Sequence, residues 1–231
     1  MQYWPCWTYF DEVLGSFDWK GKTILDFGGS WGNLLRDPSS TVEQENYWCI
    51  DVRKEAIAAG KKDFPRGHFI WYNRRNEQYN PLGEKEAPMP ALPRTFDLVL
   101  AHSVFTHTSR AEMQETVTRE LLPLLAADGR CIITLLLSEQ LEDFLKRRSP
   151  LDLKKQKALC WKAQSLGTSF YLLSNRRIAS IELPLPESSQ AQVVTSFYKL
   201  ADILALWPDF HISTKSVGTF EQLAISIRRN A

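Results

Sequence analysis

Between residues 22 and 137, short apolar runs alternate with stretches in which apolar residues recur at every third or fourth position. That alternation marks a parallel sheet built from strand–helix–strand units. The runs predict strands over residues 23–27, 47–50, 68–72, 96–101 and 130–137. The helix before the last of these is the best marked. Ser109 and Glu112 make a capping box, after which Met113, Val117, Leu121 and Leu124 share one face. Further on, the pattern predicts a helix capped by Ser196, with Phe197, Leu200, Ile203, Leu204 and Trp207 inward and Pro208 as its stop. Two strands over 210–217 and 220–227 follow around Gly218, and Leu223, Ile225 and Ile227 alternate cleanly.

Two stretches break the alternation. Residues 73–94 are polar and carry Pro81, Pro88, Pro90 and Pro93. They are too long for an ordinary connection and are expected to order over a ligand. Residues 139–192 carry Pro184 and Pro186 and begin with a basic helical run: Lys146, Arg147, Arg148, Lys154, Lys155, Lys157 and Lys162. Such a run reads as a solvated helix face, with anion binding as the sharper alternative. No internal repeat interrupts the chain. It is expected to form one domain over 1–231: an aromatic helical segment (1–19), a core (20–137), an insertion or cap (138–194), and a C-terminal helix with a β-hairpin (195–231).

Composition narrows the class. Of 231 residues, 44% are hydrophobic and 24% charged, which excludes a disordered or collagen-like chain. Lys plus Arg total 28 against 27 Asp plus Glu, a net charge of +1 that argues against nucleic acid as the main partner. No apolar run reaches the roughly 18 residues of a membrane span, and the start lacks a basic, then apolar, leader pattern. A cytoplasmic monomer or homodimer with no membrane partner is expected. Cys6, Cys49, Cys131 and Cys160 are far apart, with no zinc-ligand spacing. Neither a disulfide nor a metal is expected, and Cys49 and Cys131, inside apolar runs, should be buried thiols.

The most informative residues run from Ile24 to Leu35, where an apolar strand enters the turn Gly28-Gly29-Ser30-Trp31-Gly32 and the turn opens a helix. Glycines allow a ligand close to the backbone, and a helix start offers unpaired N–H groups. A dinucleotide fingerprint would need glycine at 28, 30 and 33, where the chain has Gly28, Ser30 and Asn33; no phosphate-binding GxxxxGK[ST] loop occurs. Asp26, two residues before the first glycine, would repel a pyrophosphate and suits an ammonium group. Asp51 ends the second strand, where a carboxylate can accept bonds from ribose hydroxyls. The site wants a ribose and a cation.

In this the chain resembles the class I S-adenosylmethionine-dependent methyltransferases. Asp26-Phe27-Gly28-Gly29-Ser30-Trp31-Gly32 is similar to their first motif, residues 47–57 to their second, and 95–107, ending Ser103-Val104-Phe105-Thr106-His107, to their fourth-strand motif. The resemblance implies an α/β, Rossmann-like, seven-stranded and mostly parallel sheet, with helices on both faces and the last strand antiparallel. It implies S-adenosyl-L-methionine as cofactor. Gly28, Gly29 and Gly32 would wrap its methionyl part, Asp26 would lie near the ammonium, Asp51 would hold the ribose, and Val52 would lie against adenine. His102 and Ser103 would floor the space between cofactor and substrate. Two positions depart from the pattern: Ser30 replaces the middle glycine, and Asn73 stands where an acidic residue usually contacts adenine.

Methyl transfer asks the protein mainly to align a nucleophile, exclude water and, for a hydroxyl, supply a base. Among the histidines, His68 and His211 read as structural or surface residues. His107, in the loop after the fourth strand, is the candidate base, or else it orders the loop before the Ser109 cap. Asp97, at the other end of that strand, reads as structural. The N-terminal aromatic segment is either a packed helix or a lid that brings Tyr9 to the substrate. Tyr72 and Tyr79 are further substrate contacts, with Arg74, Arg75 and Asn76 beside them. Asn80-Pro81-Leu82 lacks the Asn-Pro-Pro-Tyr type motif of methylases acting on base amines. Three readings stand: methylation of a small molecule on oxygen or nitrogen; methylation of a nucleic acid or peptide through the basic 146–162 segment; and cofactor binding without methyl transfer, as in a cyclase or regulatory protein.

Overall fold

The computed structural model describes residues 5–76, 78–148, 153–166, 170–174, 179–182, 193–217 and 222–230. The expected runs form β1 (Ile24–Phe27), β2 (Tyr47–Asp51), β3 (His68–Trp71), β4 (Phe96–Ala101) and β5 (Leu125–Leu137), all parallel, in the order β3-β2-β1-β4-β5. Five strands follow: β6 (Phe170–Ser174), β7 (Ala179–Glu182), β8 (Val193–Tyr198), β9 (Phe210–Ser216) and β10 (Leu223–Arg229). β10 pairs antiparallel with both β5 and β9, which completes the seven-stranded unit. β8, β6 and β7 extend the sheet beyond that unit, β8 pairing with the far end of β5.

Every residue of β1 and β2 is buried, as in strands covered on both faces. Alternation along the strands builds two cores. Leu25, Phe27, Val99, Ala101, Cys131 and Ile133 face one, whereas Ile24, Cys49, Leu98, Leu100 and Ile132 face the other. The second core is covered by α1 (Cys6–Leu14), with Leu34 of α2 (Asn33–Arg36) and Ile57 of α3 (Lys54–Asp63). The first is covered by α4 (Arg110–Glu115), which starts where expected: Ser109 Oγ accepts the Glu112 N–H at 3.0 Å. The expected single helix instead becomes a π-turn over Thr116–Leu121 and a 3-10 turn over Leu122–Leu124, yet Met113, Val117 and Leu121 still face inward. A smaller third cluster joins α5 (Leu141–Arg148) and α6 (Leu153–Leu166) to Leu136, Leu172 and Phe197.

The chain differs from expectation in its tail. Ser196 caps no helix; it lies in β8, and the following helix, α7 (Leu200–Leu204), starts after Lys199. Ile203 and Trp207 are buried as expected, but Leu204 is 42% exposed. A Thr-Ser-Phe-Tyr run satisfies a helix-cap pattern and a strand equally, and pairing with β5 and β6 decides for the strand. β5 also begins five residues earlier than expected, at Leu125, with a register irregularity opposite Phe96 and Leu98. Gly218 and the two Leu-Pro steps lie outside the described residues. Among the described residues no helix is long and apolar enough to cross a membrane.

Candidate functional site

A cavity of about 410 Å³ opens at the carboxyl ends of β1, β2 and β4, the edge at which open α/β sheets bind ligands. One side is made by Gly28, Ser30, Asp51, Val52 and Arg53, and the other by His102, Ser103, Val104, Phe105 and His107. The 72–79 stretch adds Tyr72, Arg74, Arg75, Asn76 and Tyr79, while Glu112 and Thr116 enter from α4 and its π-turn, and Gln222 from just before β10.

The turn after β1 explains its own sequence. Gly28 has φ +76°, and a Cβ there would lie 2.3 Å from Val104 Cγ2, so no side chain fits. Ser30, in the left-handed region at φ +57°, stores strain of about 1 kcal/mol. In that conformation its N–H donates to Asp51 Oδ2 at 2.8 Å, while Asp51 Oδ1 accepts the Arg53 N–H at 2.7 Å. Burial pushes the Asp51 carboxyl up, and those two N–H bonds oppose it. Each carboxylate oxygen keeps acceptor capacity toward the cavity. Arg53 is held above Trp31, its Cζ 5.0 Å from the ring centroid.

Asp26 does something else. Its side chain points into the second core, where Oδ2 accepts the Tyr47 hydroxyl at 2.6 Å. A Cβ on Gly29 would lie 2.4 Å from that same oxygen. The second glycine of the turn is therefore bare because Asp26 packs beneath it. Desolvation, opposed by the Tyr47 bond, raises the Asp26 pKa to about 7.

Of the expected site residues, Gly28, Ser30, Asp51, Val52, His102, Ser103, Tyr72, Tyr79 and His107 come together around the cavity. Five lie elsewhere. Asp26 packs beneath the turn, Gly29 faces Asp26 and Cys49 from within the turn, and Gly32 caps α2 beside the Phe69 ring. Asn73 is bonded within its own loop, its Nδ2 donating to Glu84 and its Oδ1 accepting from Asn80. Tyr9 is fully buried on α1, and its ring meets that of His102 edge-on at 5.2 Å. Within the described part of the N-terminal aromatic segment, α1 is thus a packed helix that supports His102 from below. Asp97 sits at the far edge, accepting both the N–H and the hydroxyl of Thr23 at 2.8 Å.

The described residues on either side of position 77 fold together: Asn76 and Asn80 exchange backbone bonds at 3.1 and 2.9 Å, and Asn76 Oδ1 accepts the Tyr79 N–H. Tyr79 is thereby set between the two sides, 5.8 Å from the His107 ring and 6.0 Å from the Arg53 guanidinium. Behind it, Arg74 donates to Glu120 at 2.9 Å and to the Tyr72 hydroxyl at 3.1 Å, and lies 4.0 Å from Glu112. Burial lowers the His102 pKa to about 4, so the ring is neutral near pH 7. Ser103, at φ +57°, is fixed by Thr134 Oγ1, which accepts its N–H at 2.8 Å, and by Gln222 Nε2, which donates to its hydroxyl at 2.8 Å.

The pattern of the chain missed Thr116 and Gln222. Thr116 lies where α4 passes into the π-turn, an irregularity with no local signature. Gln222 had one: in a final strand antiparallel to β5, the residue before the strand must lie at the carboxyl edge of β5.

Residues 25–131 match the family model described as a methyltransferase domain. No curated protein matches the chain. Among solved structures, the PH0226 protein of Pyrococcus horikoshii OT3 is 15% identical with a TM-score of 0.59, covering 96% of this chain and 89% of its own. An S-adenosylmethionine-dependent methyltransferase of Clostridium acetobutylicum ATCC 824 is 13% identical with a TM-score of 0.56, covering 100% of this chain and 93% of its own. The magnesium protoporphyrin IX methyltransferase of Synechocystis PCC 6803, solved with bound SAH, is 15% identical with a TM-score of 0.52, covering 96% and 79%.

Proposed function

We propose that this chain is a class I S-adenosylmethionine-dependent methyltransferase, its family-model match lying at residues 25–131, and that it methylates a small molecule on oxygen or nitrogen. The observation that carries the reading is a cavity of about 410 Å³ lined by Asp51 on one side and His107 on the other. That volume lies in the lower part of the range for small-ligand sites, about 300–1,000 Å³, and cofactor and acceptor must divide it. The near-neutral charge of the chain adds support, as does a neighbour of the same fold named for a porphyrin substrate.

The cavity fits the cofactor. Asp51 has acceptor capacity left for ribose hydroxyls, Val52 offers an apolar contact for adenine, and bare Gly28 admits the methionyl chain against the backbone. When bound, S-adenosylmethionine supplies a methyl carbon already activated by its sulfonium. The chain then has to orient the acceptor, exclude water and take up a proton. Phe27, Tyr72, Phe105 and Tyr79 give the cavity aromatic walls that exclude water. In this reading His107, which lines the cavity, accepts the acceptor's proton, and neutral His102 contributes a hydrogen-bonding ring nitrogen without charge.

Incubation with methyl-labelled S-adenosylmethionine and an extract of the source, fractionated by size, tests the reading. Label is expected in the small-molecule fraction. Label confined to RNA or protein overturns the small-molecule acceptor, and cofactor binding without any labelled product overturns methyl transfer. With the product in hand, His107→Ala should keep cofactor affinity and lower turnover about 10²–10⁴-fold. Unchanged turnover in the folded variant removes the base assignment.

A further inference from the structure

The turn that carries His107 is held from outside residues 25–131, the span that matches the family model. Tyr198 Oη donates to the Phe105 carbonyl at 2.7 Å and lies 3.2 Å from the Thr108 carbonyl. Ser196 Oγ donates to the same Thr108 carbonyl at 2.5 Å. Phe105 and Thr108 bracket the 3-10 turn Phe105–His107, and both are buried, as are Ser196 and Tyr198. Inside the loop, the His107 N–H donates to the Val104 carbonyl at 3.2 Å, and Thr106 Oγ1 donates to the Ser103 carbonyl at 3.0 Å. One short turn does not fix a side chain by itself; loops at strand ends are mobile unless packed or bonded. Here both hydroxyls come from β8, two residues apart and therefore on one face of the strand. β8 is in turn anchored by pairing with β5 at Leu136 and Leu137 and with β6 along five residue pairs.

We propose that Tyr198 and Ser196 are positioning residues: the strand added beside β5 clamps the carbonyls on both sides of His107 and so sets its ring against Tyr79 and the cavity. The proposal rests on the reading of His107 as the base, but its geometry stands apart from that chemistry. A base must lie within hydrogen-bond reach of the proton it takes, and a misplacement of about 1 Å costs on the order of 10²-fold in rate. The added strands then serve the reaction without touching either ligand. The sheet extension β8-β6-β7 becomes part of the catalytic frame.

Tyr198→Phe keeps the ring and removes only the hydroxyl. In protein labelled on its histidine rings, with the His107 signal assigned by its loss in His107→Gln, Tyr198→Phe should shift or broaden the His107 resonance and move its titration midpoint. The His68 and His211 signals should stay in place, and calorimetric affinity for S-adenosylmethionine should stay within about twofold. Ser196→Ala should act in the same direction and more weakly, and it decides the matter if Tyr198→Phe does not fold. A His107 signal and midpoint unchanged in the folded variants overturn the proposal. Once the acceptor is known, Tyr198→Phe should lower kcat about tenfold or more with little change in KM. That loss should vanish in a His107→Ala background; a loss that persists there also overturns the proposal. Failure of the base reading is separable, because His107→Ala would then turn over normally whatever the ring signals report.

Discussion

The side of the cavity at β1 and β2 is built from neighbours: the turn at 28–32 and the end of β2 meet through Ser30 and Asp51, 21 residues apart. The side at β4 is assembled from distant segments, with bonds spanning 88 residues from Ser196 to Thr108, 93 from Tyr198 to Phe105 and 119 from Gln222 to Ser103. In the proposed reading the first side binds through backbone shape and one carboxylate, so its requirements fall on glycines and on a fixed strand end. The second positions side chains, so its requirements fall on whichever residues reach the loop. Damage to the first should therefore appear in stability and cofactor affinity, and damage to the second in turnover.

Gly29→Ala should break the first side hardest. The added methyl would lie 2.4 Å from Asp26 Oδ2, 2.5 Å from its Cγ and 2.9 Å from Cys49 Sγ. A loss of about 3 kcal/mol in denaturant unfolding is expected, the upper end of ordinary overpacking costs, together with lost cofactor binding.

Asp26 gives a pH test of the layer beneath. Its carboxyl has an ordinary value of 3.8 and is raised to about 7 in the fold. A raised folded-state pKa means that the folded chain holds a proton which the unfolded chain has released. The contribution to stability is full below about 4 and is lost as pH rises through 7. The slope is at most about 1.4 kcal/mol per pH unit, so about 2–3 kcal/mol between pH 5 and pH 7. Asp26→Asn should flatten this slope, and its melting temperature relative to the parent should rise from pH 5 to pH 8. A difference independent of pH would refute the buried, proton-holding role.

Asp51→Ala should leave the fold standing and weaken S-adenosylmethionine by about 1.5–3 kcal/mol in calorimetry, the range for hydrogen bonds to a charged group. Part of that loss comes from freeing the Ser30 turn, because Asp51 Oδ2 is the acceptor for the Ser30 N–H. The smallest effect is expected at Asn73, whose side chain is spent on Glu84 and Asn80. Asn73→Ala should change cofactor affinity less than twofold, with a stability change within about 0.5 kcal/mol. A large affinity loss there would return Asn73 to the adenine side and blur the contrast between the two halves.

Legibility followed the same division. β1 to β5 stand out as apolar runs because strands buried on both faces have few other compositions open to them. Asp51 was readable because a carboxylate ending the second strand of such a sheet falls at the ligand edge. Asp26 misleads for a reason of parity. It shares a strand face with Ile24 and so points into the second core, while the turn above it opens to the cavity. Tyr9 misleads because a lid and a packed helix use the same aromatics.

The sequence by itself determined which runs would be the five parallel strands, the cap at Ser109, the glycine turn and the carboxylate at the end of β2. All follow from steric and burial rules that act within about twenty residues, where composition and period carry the information. Only the tertiary structure decided that 193–198 would be a strand, that Gln222 would reach Ser103, and that Tyr198 and Ser196 would grip the turn of His107. Those outcomes depend on which buried carbonyls and hydroxyls remain unmatched once the strands have paired. A buried polar group takes the partner that packing brings to it, and nothing local to the chain names that partner.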